Sequence, residues 1–305
     1  MNPPTPSHPT HSPGPVAATA STPTKGTLLS SRSTTKPEIA LDALKTKHRA
    51  MWASGNYPAV VRELVGPLGP VLVHATGIGE GHKVLDVAAG TGNAAIPAAA
   101  RGADVIASDL TPELFDAGRE DAERHGVELQ WEQGDAEALP YADAEFDATI
   151  SALGVMFAPH HQEAADELVR VTRNGGRIGL LSWTPSGFIG RMFATMKPYL
   201  PTPPPGVQPP PLWGDPDHVR SLLGNRVDSV EWSTGELRVD RFGTAEELRA
   251  FFKHNYGPTI AAYRNLAEQP ERATELDDAL ADLTRDHLTD GVMHWEYLVL
   301  TARRA

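Results

Sequence analysis

The run Val84-Leu85-Asp86-Val87-Ala88-Ala89-Gly90-Thr91-Gly92-Asn93 gathers residue types that bring a backbone against a ligand. An apolar strand there ends in a glycine-bearing turn that opens a helix. A residue without a Cβ lets main-chain N–H groups approach a bound molecule closely. The spacing is DxxxGxG, with the acid ahead of the glycines. Dinucleotide-binding turns space their glycines GxGxxG and place the acid only at the next strand. A nicotinamide-dependent dehydrogenase is therefore disfavoured. Tight strand-to-helix turns also use glycine for structural reasons alone, so the run needs support from its surroundings.

Three histidines are candidate general bases. His160 and His161 follow the fourth predicted strand, at the sheet end where doubly wound folds bind ligands. An imidazole there can deprotonate a phenol or enol near neutral pH. His254 closes a helix opened by the capping box Thr244-Ala-Glu-Glu247. Each of the three suits a solvent-facing or packed position equally well. No HExxH or comparable cluster occurs, so no metal is expected. The chain has no cysteine, which excludes disulfides, Cys-ligated zinc, iron–sulfur clusters and a thiol nucleophile.

The elements that must position these groups alternate along the chain. Strand-like runs at 83–87, 104–108, 128–133, 146–153 and 177–183 are separated by helical stretches at 93–101, 112–125 and 161–172. Short apolar strands alternating with helices predict a parallel sheet covered on both faces. The β-branched Val105, Ile106, Thr149, Ile150 and Ile178 support the strands. Residues 227–234 and 237–241 read as two further strands around Gly235. A last strand spans 294–302. Leu276, Leu280 and Leu283 share one helical face.

Three segments follow from composition. Residues 1–37 hold no acid, three bases, eight Pro, six Ser and eight Thr. Such a stretch cannot bury enough apolar surface to offset its ordering entropy, and a disordered tail is expected. Residues 38–185 form the α/β core, and 186–305 form its continuation. Nine prolines fall in the nineteen residues 198–216, which predicts a stiff loop without regular structure. No run of residues is long and apolar enough for a membrane span. The net charge of −12 argues against nucleic acid or an anionic membrane as the main partner.

The DxxxGxG turn resembles the first motif of the class I S-adenosylmethionine-dependent methyltransferases, in the branch of the quinone-biosynthesis and small-molecule enzymes. Four further segments agree in order. The second strand ends at Asp109, nineteen residues after Gly90. The third runs into Gly134-Asp135-Ala136-Glu137-Ala138-Leu139-Pro140. Phe146–Ser151 is similar to the fourth strand, and Asn174-Gly175-Gly176 stands where the family has Pro-Gly-Gly. Ala88 replaces the first glycine of the motif. The Arg-Asn-Val segment of the quinone enzymes and the Asn/Asp-Pro-Pro-Tyr segment of DNA amine methyltransferases are both missing after strand four.

The resemblance implies a doubly wound, Rossmann-like sheet of seven strands, the last antiparallel, with a helical lid after strand five. It implies S-adenosylmethionine as cofactor. Asp86, Ala88, Gly90, Gly92, Asn93, Leu110 and Ser151 would surround it. Asp109 would accept from the ribose hydroxyls and Asp135 from the adenine amine, and the Ala136 amide would donate to a ring nitrogen. Trp52 and Tyr57 would fold over it. An acceptor pocket is expected from 150–160, 185–215 and 250–260, with Met156, Phe157, Phe188, Met192, Phe193, Trp213, Phe251 and Phe252 as its candidate walls. The implied activity is methyl transfer to O, N or C of a small metabolite, in the cytoplasm. The alternatives are non-transfer chemistry such as cyclisation on the same cofactor site, or a non-catalytic binding protein.

Overall fold

The computed structural model describes residues 42–305; the proline-rich tail expected at 1–37 lies outside them. Seven strands form one sheet: β1 Lys83–Val87, β2 Asp104–Asp109, β3 Gln130–Gln133, β4 Phe146–Ala152, β5 Thr172–Trp183, β6 Val227–Val239 and β7 Met293–Arg304. Their order is β3-β2-β1-β4-β5-β7-β6. The first five are parallel, and β7 runs antiparallel to both neighbours. The order reverses between β1 and β4, and such a reversal opens a crevice at the carboxyl ends of the strands.

The helices preceding the sheet are α1 Ala43–Ala53, α2 Tyr57–Val60 and α3 Leu68–Thr76. Those between its parallel strands are α4 Ala95–Ala99, α5 Phe115–Arg124 and α6 His161–Val171. After β5 come α7 Phe188–Met196 and α8 Pro216–Leu223, and between β6 and β7 come α9 Ala245–Asn255, α10 Gly257–Asn265 and α11 Pro270–His287. Val84, Leu85, Ile150, Ile178 and Leu181 are fully buried, as strands covered on both faces require. No helix among the described residues is long and apolar enough to cross a membrane.

Local chemistry explains the boundaries. Asp42 caps α1 by accepting from the Leu44 and Lys45 amides, and Thr244 caps α9 by accepting from the Glu247 amide. The two strands expected around Gly235 are one continuous β6. Gly235 stands opposite Tyr297, and a Cβ on it would lie 2.5 Å from the tyrosine ring. The glycine makes room for an aromatic ring on the neighbouring strand instead of making a turn.

Candidate active site

The crevice holds a cavity of about 1150 Å³, counted to its open mouth. Its floor is the turn after β1. Gly90 sits at φ 58°, a left-handed conformation that favours glycine, and donates its N–H to Asp109 Oδ2 at 2.8 Å. The Thr111 amide donates to Asp109 Oδ1 at 2.8 Å. Burial pushes the Asp109 carboxyl up, and these two N–H groups work against that rise. Ala88 is also left-handed, at φ 56°, and faces Gly154. Gly92 serves packing: a Cβ there would lie 2.7 Å from Trp131, so its absence lets the turn close against β3.

One end of the cavity is polar. Asp135 and Ala136 line it from the segment after β3, and the Asp135 Oδ1 accepts from the Glu137 amide at 3.0 Å. Arg170 of α6 clamps this segment. It donates to the carbonyls of Leu139 at 2.9 Å and Tyr141 at 2.7 Å, and pairs with Glu167 at 2.6 Å. Glu167 in turn accepts from the Leu139 amide at 2.6 Å. Lys45 reaches the same end from α1, 2.5 Å from Asp135 Oδ2 and 2.8 Å from Glu137 Oε2.

The other end is aromatic. Trp52 lies edge-on to Phe157, with ring centroids 4.5 Å apart, and 5.7 Å from Tyr57. Tyr57 meets Tyr256 at 6.4 Å, and its hydroxyl accepts from the Gly257 amide at 3.2 Å. Trp183 and Leu153 complete this wall. Burial raises the phenols of both Tyr57 and Tyr256. The Tyr256 residue is 8 % exposed, and its hydroxyl makes no hydrogen bond among the described residues.

Tyr57, Ala88, Gly90, Asn93, Asp109, Leu110, Asp135 and Ala136 therefore meet around one cavity. Asp86, Gly92 and Ser151 stand behind its wall. Asp86 is 1 % exposed, and burial pushes its carboxyl up to about 8. Ser151 Oγ donates to the Val87 carbonyl at 2.6 Å and accepts from the Val155 amide at 2.8 Å, tying β4 to β1.

None of the three candidate histidine bases lines the cavity. His160 is turned to Glu137, with Nδ1 3.1 Å from Oε2. His161 is wholly buried, its Nδ1 3.0 Å from His218 Nε2 and its ring 5.4 Å from Trp213. Burial and the neighbouring His218 pull its imidazole down to about 4. His254 is exposed on α9. The histidine that does line the cavity is His48, lowered by burial although Glu137 and Asp42 pull it back up. Lys45, His48 and Trp52 lie at i, i+3 and i+7, one face of α1, and that spacing is the signal the sequence offers for them. The 185–215 segment contributes no lining residue, and Met156, Phe188, Met192, Trp213, Phe251 and Phe252 are core. α1 and the turn that follows it take that place.

Asp109 and Asp135 fit an adenosine. Each carboxylate has about four lone-pair positions, and the protein fills only some of them. The remainder suit a ribose diol and an exocyclic amine, and a Cβ on Gly90 would meet only the Leu114 side chain, at 4.0 Å. A methyltransferase-domain model matches residues 84–176. The chain carries a class I S-adenosylmethionine-dependent methyltransferase domain.

Several known proteins resemble the chain. It is 51 % identical over 268 residues to an uncharacterized protein of Mycobacterium tuberculosis, covering 88 % of this chain and 98 % of that one. It is 40 % identical over 128 residues to a demethylmenaquinone methyltransferase of a Mycobacterium species, covering 41 % and 52 % of the two chains. The YcgJ protein of Bacillus subtilis shares its fold with a TM-score of 0.52 at 18 % identity, covering 77 % of this methyltransferase and 96 % of that chain. S-adenosylmethionine is its cofactor.

Proposed function

We propose that this methyltransferase acts on a small, largely apolar acceptor seated against the aromatic end of the cavity. One observation carries the reading. The side chains there are Trp52, Tyr57, Phe157, Trp183 and Tyr256 with aliphatic neighbours, while Lys45 and Asp135 pair with each other at the polar end. An acceptor with a phosphate or carboxylate would find no cationic partner among these rings. Nucleic acid is not proposed as a substrate, because the chain is acidic and this end of the cavity is aromatic. A cytoplasmic location fits the absence of cysteine.

S-adenosylmethionine supplies, when bound, a methyl group already activated on a sulfonium. The chain must then align the acceptor and exclude water. The aromatic wall does both, and the Tyr256 hydroxyl offers one hydrogen bond to fix the acceptor's orientation. His48 lines the cavity one helical turn before Trp52, and burial favours its neutral imidazole, so the favoured acceptors are enols and phenols, whose proton such a base can take. The test incubates the protein with S-adenosylmethionine and a panel of enols, phenols, amines and alcohols. The readouts are S-adenosylhomocysteine formed and a product heavier by one methyl. Cofactor binding with no such product across the panel would reject transfer to this class and favour the non-transfer chemistry of the same site.

A further inference from the structure

We propose that Lys45 is a positioning residue for the adenine end of the cofactor, orienting Asp135 and closing α1 on the site. The inference rests on the reading of Asp135 as acceptor of the adenine amine. Lys45 belongs to no motif of the core. It comes from α1, the helix that also brings His48 and Trp52 into the wall, and its ammonium is shared by Asp135 Oδ2 at 2.5 Å and Glu137 Oε2 at 2.8 Å.

The geometry favours support over competition. Asp135 Oδ1 accepts from the Glu137 amide and Oδ2 from Lys45, so each oxygen keeps a position for an amine. A carboxylate oxygen accepts two hydrogen bonds, and Lys45 fills only one position. Lys45 is also held in place by Glu137, whose side chain is 1 % exposed and whose other contacts are the amide and ring of His160. Withdrawing the ammonium would leave this buried carboxylate with only the His160 contacts, so Lys45 stays when an amine arrives. The result is a chain of charge-assisted contacts from α1 through Lys45 and Asp135 to the adenine. Occupancy of the adenine position and docking of α1 then stabilise each other.

The test titrates S-adenosylhomocysteine into the full-length chain and into Lys45→Met, Lys45→Arg, Asp135→Asn and the Lys45→Met/Asp135→Asn double variant. Hydrogen exchange of residues 43–53 is read with and without ligand. In the wild type the ligand should slow exchange in 43–53. Lys45→Met should bind about tenfold more weakly, without ligand-induced protection of 43–53, and Lys45→Arg should restore most of both. Losses in the double variant should be smaller than the sum of the single losses, which a merely structural lysine would not produce. Asp135→Asn keeps an oxygen for the amine but not the charge that holds Lys45, so it too should lose the protection, even if Lys45→Met folds poorly. Lys45→Met binding as tightly as wild type or tighter, strictly additive losses, or full protection in Asp135→Asn would overturn the inference. A wild type that does not bind the ligand would overturn the cofactor reading itself.

Discussion

Ala88 and Gly154 are complementary. Ala88 holds a left-handed backbone, and a Cβ on Gly154 would lie 2.1 Å from its carbonyl oxygen and 2.7 Å from its methyl group. The motif position where the family usually has glycine is an alanine here, and the glycine on the far side of the contact makes room for it.

Gly154→Ala should therefore push the cavity floor out of place. Overpacking of this kind costs about 1–3 kcal/mol, and the displaced turn should also weaken S-adenosylhomocysteine binding. Ala88→Gly should do the reverse for stability, relieving the left-handed alanine by about 1 kcal/mol. Thermal melts and calorimetry on the two variants check both signs.

Asp109→Ala should lower S-adenosylhomocysteine affinity at least about tenfold. It removes the acceptor proposed for the ribose and leaves the buried amides of Gly90 and Thr111 without their carboxylate. Calorimetric titration of the folded variant measures the loss, and an unchanged affinity would reject this carboxylate as a ligand group.

Two opposing titrations should leave stability nearly flat between about pH 4 and 6.5 and falling above that. His161 titrates at about 4 in the folded chain against an ordinary 6.5, so the unfolded chain binds the extra proton and stability rises with pH across that window. Asp86 titrates at about 8 in the folded chain against 3.8, so the folded chain keeps a proton and stability falls as pH rises toward 8. A tenfold difference in proton affinity between the folded and unfolded chain is worth about 1.4 kcal/mol. In melts from pH 4 to 8, His161→Gln should make stability fall with pH across the whole range, and Asp86→Asn should make it rise to about pH 6.5 and then level off.

His254→Ala should leave turnover within about twofold of wild type, as expected of an exposed residue outside the cavity. Tyr256→Phe should lower transfer about tenfold with S-adenosylhomocysteine affinity retained, measured with any acceptor that the mass screen identifies. Equal turnover of the Tyr256→Phe and wild-type proteins would remove the hydroxyl from acceptor binding.

Strand periodicity, the glycine turn and the acids at the ends of β2 and β3 are legible in the sequence because each follows from local rules: alternation, positive φ and fixed spacing. The acceptor end is not. Phe157 and Trp213 are both bulky and apolar in sequence, but one lines the cavity and the other is core, and only packing separates them. His160 and His161 sit at the ligand-binding end of the sheet, yet their side chains are drawn aside by Glu137 and His218. Those are contacts between residues far apart in sequence. Lys45 and His48 are hidden because α1 precedes every motif, and a three-residue stripe with Trp52 on one helix face looks like ordinary packing.

The Arg170 clamp bears on how fast ligands come and go. By fastening the Leu139 and Tyr141 carbonyls from α6, it shapes the shelf after β3 during folding, so no ordering entropy is left for binding to offset on that side. Any waiting time belongs to the opposite wall, where one lysine on a short helix holds the door. Association and residence times of nucleoside ligands should follow substitutions in α1, with the clamped shelf serving as a fixed anvil.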